Sequence, residues 1–176
     1  MTMDLRYPVG KFERPASVSD AERAQCIDTI DAAPAALRSA VRGLHDAQLD
    51  TPYRDGGWTV RQVAHHLADS HMNAYLRFKL ALTEATPTIK PYDETAWAKL
   101  PDATLPIGPS LALLEALHAR WVSLMRATAA ADFGRTFIHP ERPGAPSTLD
   151  QMTALYAWHG RHHVAHITGL RQRNGW

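Results

Sequence analysis

Four of the chain's ten histidines fall within the segment "WHGRHHVAHI", as His159, His162, His163 and His166. Imidazole is the side chain best suited to metal ligation and to proton transfer near neutral pH. In a helix, the i,i+4 spacing of His159 and His163 stacks two rings on one face, close enough to share a divalent ion. His162 and His166 have the same spacing. A helical wheel places Met152, Tyr156, His159, His163, His166 and Leu170 on one narrow stripe, with His162 at its edge beside Leu155. The stripe favours His159 and His163 as the metal pair. A solvated histidine patch, or core histidines bonded to Tyr and Ser hydroxyls, would give the same pattern.

Two ligands do not make a site, and the segment "HHLADSHMN" is the obvious donor of a third. His66 aligns there with Ser70, Asn73 and Arg77, a polar stripe bordered by apolar sectors. Such a stripe suits a helix lining a polar cavity, and equally a helix facing solvent. His65 and His71 fall in apolar sectors and read as packing or interface residues. Asp69, three residues after His66, is placed to orient that ring or to act as a base. Asn73 and Arg77 are placed to hold an anionic or amide-bearing substrate. His118 follows Glu115 at i+3, the ExxH spacing of di-iron bundles, but the last helix has no Glu to complete such a site.

These side chains need helices to position them, and helix starts occur four times. "SDAE" at Ser19 and "TVRQ" at Thr59 are capping boxes. The first predicts a helix running toward His45, kinked or restarted at Pro34 because proline removes a donor. The second predicts a long helix, free of Gly and Pro until Pro87. A third helix is expected from Ser110 to about Thr128. The fourth is expected from Ser147 or Thr148, after "PERPGAP", to about Gln172, with Gly175 as its stop. Between Thr86 and Pro109 five prolines exclude a continuous helix, although "YDETAWAKL" has room for two turns. Its Tyr92, Asp93, Glu94 and Trp97 suit either a cavity cover or a dimer contact. "RTFIHP" reads as a short extended piece. The whole predicts an all-α four-helix bundle, one domain over residues 1–176.

Composition narrows the function classes. With 19 Lys+Arg against 18 Asp+Glu, the formal charge is +1, and no basic stripe points to nucleic acid or an anionic membrane surface. Cys26 is the only cysteine, which excludes an internal disulfide and any CxxC motif, and it reads as a packing residue. The opening "MTMDLRYPVGKF" lacks the apolar core of a signal peptide, and no apolar run approaches a membrane span, so a cytoplasmic protein is expected.

The stretches "DTPYRDGGWTVRQVAHHLADSHMNAYLRFKLALTE", "PYDETAW" and "YAWHGRHHVAHI" resemble the YfiT branch of the DinB-like superfamily, over nearly the whole chain. The resemblance implies a four-helix bundle, commonly a homodimer, with one divalent ion held by three histidines. Carried over, these are His66, His159 and His163. Related proteins often have Gln where this chain has His166, which suggests a fourth-ligand or substrate-facing role for that ring. The family's metal-dependent hydrolase activity implies a metal-bound water as nucleophile, with no protein base identified. The alternatives are a metal-dependent S-transferase for a low-molecular-weight thiol and a non-catalytic metal-binding bundle. Three imidazoles suit Zn2+ or Ni2+, and the expected partner is a small-molecule substrate.

Overall fold

The computed structural model describes residues 4–141 and 144–176. Residues 1–3 of the opening segment and 142–143 of "PERPGAP" lie outside them. The helices, in chain order, are α1 (Asp20–Val41), α2 (Asp46–Leu49), α3 (Val60–Thr83), α4 (Glu94–Trp97), α5 (Gly108–Ala127) and α6 (Leu149–Asn174). Both capping boxes are formed, Ser19 with Glu22 and Thr59 with Gln62, and a third, Thr148 with Gln151, opens α6. Gly175 closes α6 with φ 68°, a left-handed value that glycine adopts without Cβ strain.

The four long helices form a bundle. α1 packs against α5 and α6, and α3 packs against the same two. α1 ends at Val41, short of the expected His45, and the next turns belong to the one-turn α2. Pro34 sits inside α1 without ending it. "RTFIHP" supplies the strand β1 (Thr136–Phe137), antiparallel to β2 (Ser147–Thr148), with Thr136 opposite Thr148. Ile138 extends that strand to the loop after α3: its N–H donates to Pro87 O at 2.9 Å, and Ile89 N–H donates back to Ile138 O at 2.9 Å. "YDETAWAKL" holds one α turn, and a 3-10 turn follows at Pro101–Thr104.

The apolar core is divided in two along the bundle. One cluster gathers around Phe78, Trp121, Phe133, Leu149 and Tyr156. The other gathers around Leu37, Val63, Leu67, Leu114 and Ile167. Every long helix contributes to both, and on α3, α5 and α6 the break between the two clusters is occupied by histidine. His71 lies between Leu67 and Ala74, His118 between Leu114 and Trp121, and His159, His162, His163 and His166 between Ala157 and Ile167. All but His159 are buried. A layer of imidazole crosses the protein interior, where an unpaired polar group costs about 1–3 kcal/mol.

Candidate metal centre

α3 brings His66 to α6, where its Nε2 lies 3.3 Å from Nε2 of His159. One ring nitrogen each from His66, His159 and His163 lies within 4.8 Å of the other two. An ion held tetrahedrally by imidazoles at about 2.0–2.1 Å sets its nitrogens about 3.3–3.4 Å apart, so the His66–His159 edge has the required length. Burial pushes His66 down to about 4, and it holds His163 well below the usual histidine range, a shift reinforced by the neighbouring imidazoles. Both rings are therefore neutral at physiological pH, as ligation requires. The donor set fits a divalent cation.

The three rings border a cavity of about 410 Å³ whose other walls include Trp58, Ser70, Arg77, Tyr92, Tyr156 and Trp158. Trp58 tilts over His66 with ring centroids 4.6 Å apart, and it lies nearly parallel to His163 at 6.3 Å. The turn "RDGGW" makes this placement possible. A Cβ on Gly57 would come within 2.8 Å of Arg54 Cγ and 3.1 Å of Arg54 O, so only glycine fits beside Trp58. Tyr92 comes from the proline-rich loop and hydrogen-bonds Ser70, and burial pushes its phenol up to about 12. Its hydroxyl therefore keeps its proton across the physiological range.

The remaining candidate residues fall in different places. Arg77 lines the cavity, with its guanidinium donating to Lys90 O at 3.1 Å and lying 5.9 Å over the Tyr92 ring. Asn73 turns its amide back to Asp69 O at 2.9 Å and is not part of the cavity wall. Asp69 lines a smaller chamber of about 200 Å³ on the far side of His66, together with His65 and Asp102. Burial, with the nearby Asp102 carboxylate, raises the Asp69 pKa, and its opposing partner is His65 rather than His66. His65 packs between helices as expected: one nitrogen meets Ser110 Oγ at 2.7 Å and the other Leu105 O at 3.1 Å. Tyr92 and Glu94 line both chambers, which makes this part of the loop a cavity wall.

His166 faces away from the His66 trio. It stacks on Tyr53 at 3.9 Å, and its Nε2 donates to Arg6 O at 3.3 Å. With His162 and His163 it forms a second group of ring nitrogens within 4.8 Å, all drawn from one helix. The segment before α1 covers that group: Trp158 Nε1, beside His162, donates to Gly10 O at 3.1 Å. The Arg54 and Arg173 charges act on His166 and disfavour a cation there. All three rings of the His66 trio line the cavity, whereas His166 does not, and no arginine is among the charges acting on His66 and His163, which makes the trio the stronger candidate.

Two residues acquire a place at the site that their apolar setting had concealed. His71 Nε2 lies 3.1 Å from His159 Nδ1, and His71 Nδ1 lies 2.8 Å from His118 Nε2. The sequence reads His71 as a packing or interface residue and His118 only as part of an ExxH spacing that no di-iron site completes. The available signal was that a buried imidazole needs partners, so histidines on the apolar faces of two adjacent helices should find each other.

A bundle of four long helices with a three-histidine group drawn from two of them is the class of protein defined by this geometry. The chain belongs to the DinB superfamily, whose family model matches residues 29–167. It is 53% identical over 173 residues to a Bacillus mycoides (strain KBAB4) protein named "Putative metal-dependent hydrolase", covering 98% of this chain and 99% of that one. A Bacillus cereus (strain 03BB102) protein of the same name matches with the same identity and coverage. The solved structure of YfiT from Bacillus subtilis, described as "a probable metal-dependent hydrolase with an unusual four-helix bundle topology", superposes with a TM-score of 0.95. It is 51% identical, covering 98% of both chains. This chain is YfiT-like in sequence and in fold. Among the described residues, no helix is long and apolar enough to cross a membrane.

Proposed function

We propose that the protein is a metal-dependent hydrolase whose divalent ion, Zn2+ or Ni2+, is held by His66, His159 and His163. The observation that carries this reading is the convergence of three imidazole nitrogens from two helices within 4.8 Å, at the wall of a cavity. The names of the relatives agree with it. Three protein ligands leave a coordination position open to water or substrate, the pattern of catalytic rather than structural sites. When bound, such an ion supplies Lewis acidity and a strong nucleophile near neutral pH.

The chain's own residues supply binding and orientation. Burial keeps the His66 and His163 rings neutral, the charge state that ligation requires. Trp58, Tyr156 and Trp158 give the cavity aromatic walls that exclude water from one side of a small substrate. Arg77, anchored by Lys90 O, offers a fixed positive charge to an anionic group. The Tyr92 hydroxyl, held neutral and bonded to Ser70, is positioned as a proton donor to a developing oxyanion. Asp69 lies in the other chamber, whereas Glu94 and Glu141 are the carboxylates on the wall of this one, and we assign the role of general base to none of them.

The test is metal analysis of purified protein and its His66→Ala variant, joined to turnover of an ester and amide panel in water alone. We expect about one ion per chain, and activity that is lost both on chelation and in His66→Ala. Full metal content in a folded His66→Ala variant would reject the site. An S-transferase would be silent in water and active once a small thiol is added. Cys26 packs against the Phe78–Trp121 core cluster, so any reacting thiol would come from outside the chain.

A further inference from the structure

Pro34 lies inside α1, and its ring nitrogen has no hydrogen for the carbonyl four residues earlier, that of Ile30. His118 on α5 reaches that carbonyl instead, with Nδ1 at 2.7 Å from Ile30 O. A carbonyl only accepts, so His118 must carry its hydrogen on Nδ1. A neutral imidazole has one donor and one acceptor, so His118 Nε2 accepts. His71 Nδ1, 2.8 Å away, is then the donor, which leaves His71 Nε2 as an acceptor. His159 Nδ1, 3.1 Å from that Nε2, must donate in turn. The last consequence falls on the far side of the His159 ring, where Nε2 presents its lone pair toward His66.

We propose that the Ile30 carbonyl freed by Pro34 anchors a chain of donors through His118, His71 and His159 that fixes His159 in the tautomer able to bind a cation through Nε2. The chain draws one member from each long helix. His71 and His118 are 0% and 1% exposed, so no bulk water competes for their nitrogens. A charged imidazole would lose its hydration at that burial, so each ring is neutral and the direction of donation is defined. His71 and Tyr156 meet edge to face at 5.1 Å, which holds the plane of the middle ring. Gly160 lets α6 lie close to α1 beside this chain, since its missing Cβ would sit 3.2 Å from Ala33 Cβ. His71 and His118 are positioning residues: they act on the site only through His159.

The functional part of this inference rests on reading His159 as a ligand, but its first test does not require metal. Long-range 1H–15N correlation of the metal-free, 15N-labelled protein reports which nitrogen of each imidazole carries hydrogen. We expect His118, His71 and His159 all in the Nδ1–H form. Finding His71 or His159 as Nε2–H would overturn the proposal whether or not the protein hydrolyses anything. The expected tautomers in a protein without hydrolytic activity would leave it standing. The second test is the His118→Leu variant titrated with Co2+ and followed by its visible bands. Loss of a partner bonded directly to a ligand typically weakens metal binding by about 10–100-fold; His118 acts one ring further out, and we expect a loss near the lower end of that range together with a mixed tautomer at His159. A folded His118→Leu protein with unchanged Co2+ affinity and unchanged His159 tautomer would also overturn it. If that variant does not fold, the tautomers of the natural protein still decide. Pro34→Ala, which returns a donor to Ile30 O, is expected to move the His118 ring resonances, and no movement would remove Pro34 from the chain.

Discussion

The histidine layer has two halves that meet at His159, and they are built differently. On the α3–α5 side, His71 and His118 have both ring nitrogens partnered, and the series ends on a backbone carbonyl. On the α6 side, Nδ1 of His162, His163 and His166 are all buried without a hydrogen-bond partner among the described residues. Both halves sit at the same level of the bundle, between the same two apolar clusters. One half is therefore complete as a protein interior, and the other retains unused ligating capacity. Carrying such nitrogens costs stability, and the proposed function gives a reason for that cost at His163, the one of the three that belongs to the His66 group.

Replacing His163 should separate these two roles most sharply. Leu is of similar volume and removes a buried unpartnered nitrogen, a change that is neutral or stabilising when nothing depended on that group. Metal-free His163→Leu should therefore unfold at the natural temperature or above it. The same variant should lose at least about two decades of divalent affinity, each worth about 1.4 kcal/mol, and with them the rise in melting temperature on adding Zn2+. Calorimetry with and without metal reads both. A metal-free variant clearly less stable than the natural protein would mean that the α6 half is as integral to the core as the other.

His71→Leu should behave in the opposite way. Two partners lose their counterpart, the buried His118 Nε2 and the half-buried His159 Nδ1, at about 1–3 kcal/mol for each group left unsatisfied. A loss of about 2–5 kcal/mol in metal-free stability is expected by urea denaturation. A loss below 1 kcal/mol would show that the two rings find other partners and that the contrast between the halves is weaker than drawn.

The contrast also explains what was legible in the sequence. Capping boxes and apolar periodicity are local, and they show the four long helices with Thr59, Thr148 and Gly175 as ends, although α1 stops at Val41, a turn short of the expected His45. The spacing of His159 and His163 is likewise a property of one helix, so the pair could be proposed from the wheel. His66 could be singled out only as part of a polar stripe, and the resemblance was needed to assign it to the same ion. What escaped was contact between helices. Nothing on α3 or α5 alone shows that His71 meets His118, and nothing on α1 shows that the carbonyl freed by Pro34 is taken up by α5. Asn73 illustrates the converse: it shares the stripe of His66, yet its amide is used by its own helix one turn back.

The pH response of the metal-free protein should also follow the layer. Burial lowers His66, His162 and His166 to about 4, from an ordinary value of 6.5. A buried neutral histidine binds its proton more weakly than the unfolded chain does, so its contribution is complete above the unfolded value. That contribution is lost as the pH falls from about 6.5 toward 4, because the unfolded state protonates first. Stability should rise with pH across that window and level off above it. Urea midpoints taken in steps through the window would test this, and a flat profile would mean that these rings are hydrated and titrate normally.

The smallest effect belongs to a residue that serves the fold without touching either half of the layer. Thr59 caps α3 through the Gln62 N–H at 3.1 Å, two helical turns before His66. Replacing a capping Thr by Ala costs about 1 kcal/mol. Thr59→Ala should therefore lower the melting temperature by a few degrees, while metal affinity per folded molecule stays within about twofold. The orientation of His66 is set by its neighbours across the bundle, Trp58 and His159, rather than by the first turn of its own helix. If Thr59→Ala weakened Co2+ binding tenfold in protein that remained folded, the helix end would be part of the site's positioning, and the division between a completed half and a binding half would have to extend beyond the histidines.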